Sequence, residues 1–182
     1  MTNSEMDLAA KPLLTSPAET PRFEVVIAYD APESAWRAMC LVDGLVAEFG
    51  DEFKIHGDLC RFDILALPAV REETFGAAAR ADLVVVAAEG GAELPAAVKD
   101  WLEDWSAARI PGTAALAAVL EKRQPPAHEP SSAHRFLQQI ARPAVQEFFA
   151  REFAPSRPAN GLNHEFIQTR ARHPVARWGL NE

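Results

Sequence analysis

The chain has 182 residues, of which 48% are hydrophobic and 24% charged, and its formal net charge is -8. That length and balance predict one globular domain with a substantial core and room for tails, and the acidic charge excludes general nucleic-acid binding by the main body, because it repels phosphate. Two cysteines, Cys40 and Cys60, match no metal-ligand spacing and read as reduced intracellular thiols; the longest apolar runs are strand-sized, which excludes a transmembrane helix.

Residues 1–21 hold Pro12, Pro17 and Pro21 among Ser and Thr. They read as a loose leader with no cationic start or unbroken apolar segment, so no secretory signal is expected and the expected compartment is the cytoplasm. The body is expected over 22–153. "FEVVIAY" (23–29) is β-branched and aromatic and reads as a strand buried on both faces. "APESAWRAMCLVDGLVAEFG" then places Ala35, Met39, Val42, Leu45, Val46 and Phe49 at three- and four-residue steps, a helix stripe facing a sheet. Asp30 and Glu33 have capping-box spacing, and Pro32 suits a first helical turn.

"FKIHGDLCRF" (53–62) predicts a second strand with Gly57 as its weak point. Leu67-Pro68 opens an alanine-rich helix to about Arg80. "DLVVVAA" (82–88) is the clearest strand. Leu94, Val98, Trp101, Leu102 and Trp105 then form a helical stripe opposite Lys99, Asp100, Glu103 and Asp104. "TAALAAVL" (113–120) reads as a fourth strand or a buried helical turn. After the Pro-rich loop 121–132, Ser131 or Ser132 caps a helix carrying Phe136, Leu137, Ile140, Ala144, Val145 and Phe148, which Pro143 interrupts. A short edge strand is expected near Phe153.

This alternation predicts an α/β three-layer sandwich around a doubly wound parallel sheet, with strand order 2-1-3-4 or 2-1-3-4-5. The tail, 154–182, differs in charge: residues 151–182 carry five Arg against three Glu. With Phe166, Ile167 and Trp178 it is either poorly ordered or lies across the acidic body or a second copy, which makes a protein partner or a homodimer its natural role.

In such sheets ligands bind beyond the carboxyl ends of the strands where the strand order reverses, here between strands 1 and 3. The candidate crevice is therefore Asp30, Glu33 and Ser34 after strand 1 and Glu89, Gly90 and Gly91 after strand 3. Two glycines before a helix can present backbone N–H groups to an anion. Glu89 and Glu93 flank them, however, with Asp30 and Glu33 alongside, so the turn reads as a strand-to-helix bend rather than a phosphate cradle. Asp30 and Glu89, on adjacent strand ends, are a candidate pair for Mg²⁺, although Asp30 also has a use as helix cap. Neither cysteine has an evident base. Of the five histidines, His128 and His134 come nearest the crevice and read as surface residues. Trp36 lies off its helix stripe and is a candidate partner contact.

On these residues the layout resembles the flavodoxin-like group and, within it, the response-regulator receiver domains, over about 23–150. For a receiver the resemblance implies that "VVIAYD" supplies Asp30 as a single acidic residue near Mg²⁺. It implies that "VVVAAEGG" sets Glu89 where an aspartate would accept a phosphoryl group, and Lys122 falls after strand 4. For a flavodoxin, "YDAPESA" has no glycine in the loop after strand 1. Phrases such as "ARADLVVVAA" and "LPAAVKDWLEDW" also resemble small bacterial proteins. The function expected first is a non-enzymatic, receiver-like interaction or regulatory module without a cofactor. The alternative is a small enzyme or ligand-binding protein working at the strand 1/strand 3 crevice, with Mg²⁺ assistance.

Overall fold

The computed structural model describes residues 20–89, 93–121, 130–144, 147–153 and 175–179. The elements run β1 (Arg22–Tyr29), α1 (Pro32–Phe49), β2 (Lys54–Arg61), a one-turn 3-10 helix at Phe62–Ile64, α2 (Pro68–Ala78), β3 (Leu83–Ala88), α3 (Ala96–Ala108), β4 (Ala115–Glu121), α4 (Ser132–Ala144), β5 (Glu147–Phe153) and β6 (Val175–Gly179). The six strands form one sheet in the order β5-β4-β3-β1-β2-β6. β1 to β5 are mutually parallel, so the predicted order 2-1-3-4-5 is the observed one.

The centre of the sheet follows directly from composition. All six residues of β3, LVVVAA, are buried, as a parallel strand covered on both faces requires. Alternate residues sort to two cores. On one face Val26, Ala28, Val84, Val86, Leu116 and Ala118 meet α2, α3 and α4. On the other, Val25, Ile27, Tyr29, Val85, Ala117 and Val119 meet α1, alone among the described helices. The alanines of β4 resolve as strand: they sit in both cores and leave space for bulky helix residues. Trp101 and Trp105, both 0% exposed, fill it.

Helix starts are local. Ser131 Oγ accepts the His134 N–H at 3.2 Å at the head of α4, the cap expected from sequence. Pro143 lies one residue before the end of α4, where the missing N–H costs little interior bonding. α1 departs from expectation. Its N-cap is Ala31, with no side-chain cap bond, so the Asp30–Glu33 capping box does not form. The reason is non-local: the Asp30 N–H donates to Ala87 O at 3.2 Å, holding Asp30 in the strand pairing. The stripe of α1 buries Ala35, Met39 and Val42, but Phe49 at its end is exposed. Trp36 packs half-buried on the α1-face core.

Of the tail expected at 154–182, residues 175–179 form β6, antiparallel to β2, with Cys60 facing Val175 and His56 facing Gly179 in register. A sixth strand was not expected there. It covers the outer edge of β2, which would otherwise leave a row of backbone groups unpaired. The leader expected at 1–21 lies outside the described residues up to residue 19. No described helix is long and apolar enough to cross a membrane.

At the opposite end of the strands from the crevice, α2, α3 and the start of β4 are tied together by side chains. Arg109, just past α3, donates to the carbonyls of Ala78, Ala79, Ala81 and Thr113 at 3.3, 2.5, 2.9 and 3.0 Å. These include the last carbonyls of α2, which have no partner within the helix. Trp105 Nε1 donates to Ala78 O at 3.0 Å. Trp101 Nε1, equally buried, meets no acceptor among the described residues. The two tryptophans therefore make a controlled pair. Replacing either with Phe removes a similar volume, but only Trp105→Phe also removes a hydrogen bond, leaving Ala78 O with the longer bond from Arg109. Trp105→Phe should destabilise the protein by about 1 kcal/mol more than Trp101→Phe in urea unfolding; equal losses would refute the assignment of that bond.

Candidate functional site

Parallel pairing of β1 with β3, with Tyr29 beside Ala87 in register, brings the loops after both strands to one rim. The centre of that rim is Asp30. Its Oδ2 accepts the backbone N–H of Glu89 at 2.7 Å, while Oδ1 is buried and meets no partner among the described residues. The carboxylate thus works as a clamp between two chain turns. Sequence spacing had placed it on its own helix instead. Ser34, in the first turn of α1, is 1% exposed, and its Oγ likewise meets no partner among the described residues. Glu33 lies half-buried beside it.

Asp30 and Glu89 thus meet at this rim, with Glu33 and Ser34 in the adjoining first turn of α1. Gly90 and Gly91 lie outside the described residues, as do Lys122, His128, His164 and His173. Beyond the gap, Glu93 pairs with Lys99 of α3, whose ammonium sits 5.7 Å from the Phe136 ring centre. One rim contact had no signal in the sequence. Arg37 of α1 lies 2.7 Å from Glu121 at the end of β4, and both side chains are nearly buried. Helix spacing places Arg37 off the apolar stripe, but nothing local names its partner. Among the described residues no group of three or more His, Cys, Asp or Glu is arranged to hold a metal.

The described residues of the rim offer little to a flavin or nucleotide phosphate. Pro32 at the start of α1 offers no N–H, no side chain caps that end, and Asp30 and Glu33 would face the anion with like charge. The Glu89 N–H is already taken by Asp30.

After β2 the chain is fixed by a bidentate pair, Arg61 Nε and Nη2 to Asp63 at 2.7 and 2.6 Å. That bond holds the Asp63 carboxyl below its ordinary value. The neighbouring Cys60 thiol is buried and accepts a bond from Thr74 Oγ1 at 3.3 Å. Burial pushes it up to about 11, with the Thr74 bond opposing and Asp63 and Glu73 adding to the rise. Burial likewise pushes Tyr29 up to about 12, opposed by Arg61. Cys60 is therefore a poor nucleophile at neutral pH. Cys40 is exposed, because it falls off the α1 stripe; partial burial and Asp43 still raise its thiol. His134 stacks edge-on against Phe148 with centroids 5.8 Å apart, a packing role. His56 lines a cavity of about 290 Å³ with Arg22, Glu24, Asp58 and Arg80. That cavity lies under the end of α2, near the start of β1 and away from the rim, and its charges largely offset one another.

Neither a protein-family model nor a curated protein matches the sequence. Solved structures do match in shape. A flavodoxin from Streptococcus pneumoniae TIGR4 superposes with a TM-score of 0.50 at 14% identity, covering 84% of this chain and 97% of that one. The Smu.1420 protein of Streptococcus mutans UA159 gives 0.50 at 12% identity, covering 82% and 97%. The chain therefore has a flavodoxin-like α/β sandwich fold, a statement about architecture alone.

The buried thiol and phenol set a pH dependence. Both groups have folded values above their unfolded ones, so the stability they confer is full below pH 9 and is lost as pH rises towards the folded values. For Cys60 the window is 9.0 to about 11, and for Tyr29 it is 10.0 to about 12. Urea midpoints should hold steady from pH 7 to 8.5 and fall beyond 9. Ellman's reagent at pH 8 should find one reactive thiol, Cys40, in the native protein and two after unfolding; two native thiols reacting alike would contradict the burial of Cys60.

Proposed function

We propose that this protein is a non-enzymatic, receiver-like interaction module that works in regulation through protein contacts. The observation that carries the reading is the 2.7 Å bond from the Glu89 N–H to Asp30. In a receiver-like layout these two positions would hold a cation and accept a phosphoryl group. Here Asp30 instead ties the loops after β1 and β3 to each other, and the position after β3 carries Glu. Arg37 and Glu121 brace the same rim from α1 and β4. A rim braced in this way suits a fixed surface presented to another macromolecule. Exposed Leu67, Ile110 and Phe149 supply apolar contact area elsewhere on the surface.

A second reading has its own support. Asp30 Oδ1 and Ser34 Oγ are buried oxygens without partners among the described residues, and such atoms call for an explanation. A hydrated Mg²⁺ held by Asp30 and the Glu89 carboxylate, or a small ligand donating hydrogen bonds to that oxygen pair, would supply one. The two readings separate in a thermal-shift series with Mg²⁺, FMN, NAD and ATP. The interaction module predicts no stabilisation by any of them. It also predicts that Asp30→Ala lowers stability by about 1–3 kcal/mol through the freed Glu89 N–H, with faster hydrogen exchange at that amide. Saturable stabilisation by Mg²⁺ that disappears in Asp30→Asn and Glu89→Gln would establish the second reading and end the first.

A further inference from the structure

We propose that the cavity under the end of α2 binds a free α-amino acid, with its carboxylate between Arg22 and Arg80 and its ammonium at Glu24 and His56. The cavity has a volume of about 290 Å³ and is built on the first residues of β1 and β2. Its lining follows from the register. Glu24 stands beside His56, and Val26 beside Asp58, on neighbouring parallel strands. Val26 belongs to the core shared with α2, α3 and α4, so Arg22 and Glu24, at even steps from it, lie on the same side of the sheet. Arg80, just past α2, forms the opposite wall. Its guanidinium reaches back over Gly76, where an added Cβ would meet Nη1 at 3.7 Å.

Charge selects the ligand. Arg22, Arg80, Glu24 and His56 share one cavity, yet none of their side chains makes an ion pair or hydrogen bond with another described residue. The pleat holds them apart: Arg22 and Glu24 are two residues apart on β1, about 6.6 Å along the strand, and Arg80 enters from the helix layer. Their donors and acceptors are left to the cavity. A simple anion there would meet two guanidinium groups but also the carboxylates of Glu24 and Asp58. A simple cation would meet the carboxylates but also the guanidinium groups, so in both cases repulsion offsets attraction. A small molecule carrying both signs matches both sets. A guanidinium holds a carboxylate through two parallel N–H bonds, and a carboxylate and an imidazole nitrogen both accept from an ammonium. Size narrows the class further. A volume of about 290 Å³ is at the lower end of ligand pockets, roughly 300–1,000 Å³; it suits one amino acid and is too small for a dinucleotide. Val26 and Ala77 supply an apolar wall for a small aliphatic side chain.

The cavity is at the far end of the strands from Asp30 and Glu89, so this inference stands or falls separately from the reading of the rim. The test is isothermal titration of the full chain with glycine, alanine, valine and leucine, each up to about 10 mM. The N-acetyl and amide forms of each serve as controls that lack the ammonium or the carboxylate. At least one free amino acid should bind saturably, and both of its blocked forms should bind about tenfold more weakly or worse. Arg22→Gln and Arg80→Gln, both at exposed positions, should each weaken binding by about tenfold or more, as should Glu24→Gln, which keeps the shape of the side chain. Amide shifts during the titration should fall on the first residues of β1 and β2 and the end of α2, and circular dichroism and melting confirm that the variants remain folded. No binding by any of these amino acids overturns the proposal. So does binding that the blocked forms match, or binding that is undiminished in both folded arginine variants.

Discussion

The parallel alignment of β1 with β3 decides where everything else in this molecule can be. With Val25 to Tyr29 set against Leu83 to Ala87, two segments far apart in the chain end at the same height. A carboxylate at one end then meets an amide at the other. The contact is charge-assisted and partly shielded from water, which makes it stronger than an exposed neutral bond. It also has an electrostatic effect. An acidic side chain that accepts a backbone N–H no longer presents that oxygen outward. The rim stays acidic, yet its central group is turned into the structure.

The layers on the two sides of the sheet are unequal. α2, α3 and α4 share one core with both tryptophans of α3, and Arg109 ties the far end of that layer to four carbonyls. The other side has α1 alone among the described helices. α1 crosses the middle of the sheet, and its Arg37 reaches Glu121 on β4. The ends of the sheet beyond it differ. β2 is covered along its edge by β6, whereas β5 is the last strand on the other side and leaves the Phe149 ring half exposed. Where this fold resembles the two streptococcal structures it does so in its overall α/β architecture; the chemistry of the rim has to be argued from this chain's own residues.

Most of the architecture could be read from the sequence because it rests on short-range patterns. LVVVAA bounded by Asp82 and Glu89 has one sensible fate, and Val98, Trp101, Leu102 and Trp105 mark a buried helix face wherever the helix docks. The meeting of the loops after β1 and β3 followed from strand order alone. The failures share a cause. Asp30 and Glu33 have capping-box spacing, yet the partner of Asp30 is an amide separated from it by 59 positions. Arg109 reaches Ala78 across 31. Such contacts carry no local mark, since a polar side chain shows its hydrogen-bonding capacity but not its target. β6 was illegible for a related reason. Five residues among polar neighbours form a strand only because β2 offers an unfilled edge.

The late origin of β6 bears on how the molecule is made. A chain leaves the ribosome from its first residue onward, and domains begin to fold as they emerge. β1 to β5 can align once residue 153 is free, but the flank of β2 stays bare until 175–179 arrive. For that interval the β2 side of the nascent sheet is open, and a neighbouring nascent chain could pair with it. Molecules truncated before residue 175 would keep that condition for life, which ties the final segment to solubility in the cell as much as to the finished shape.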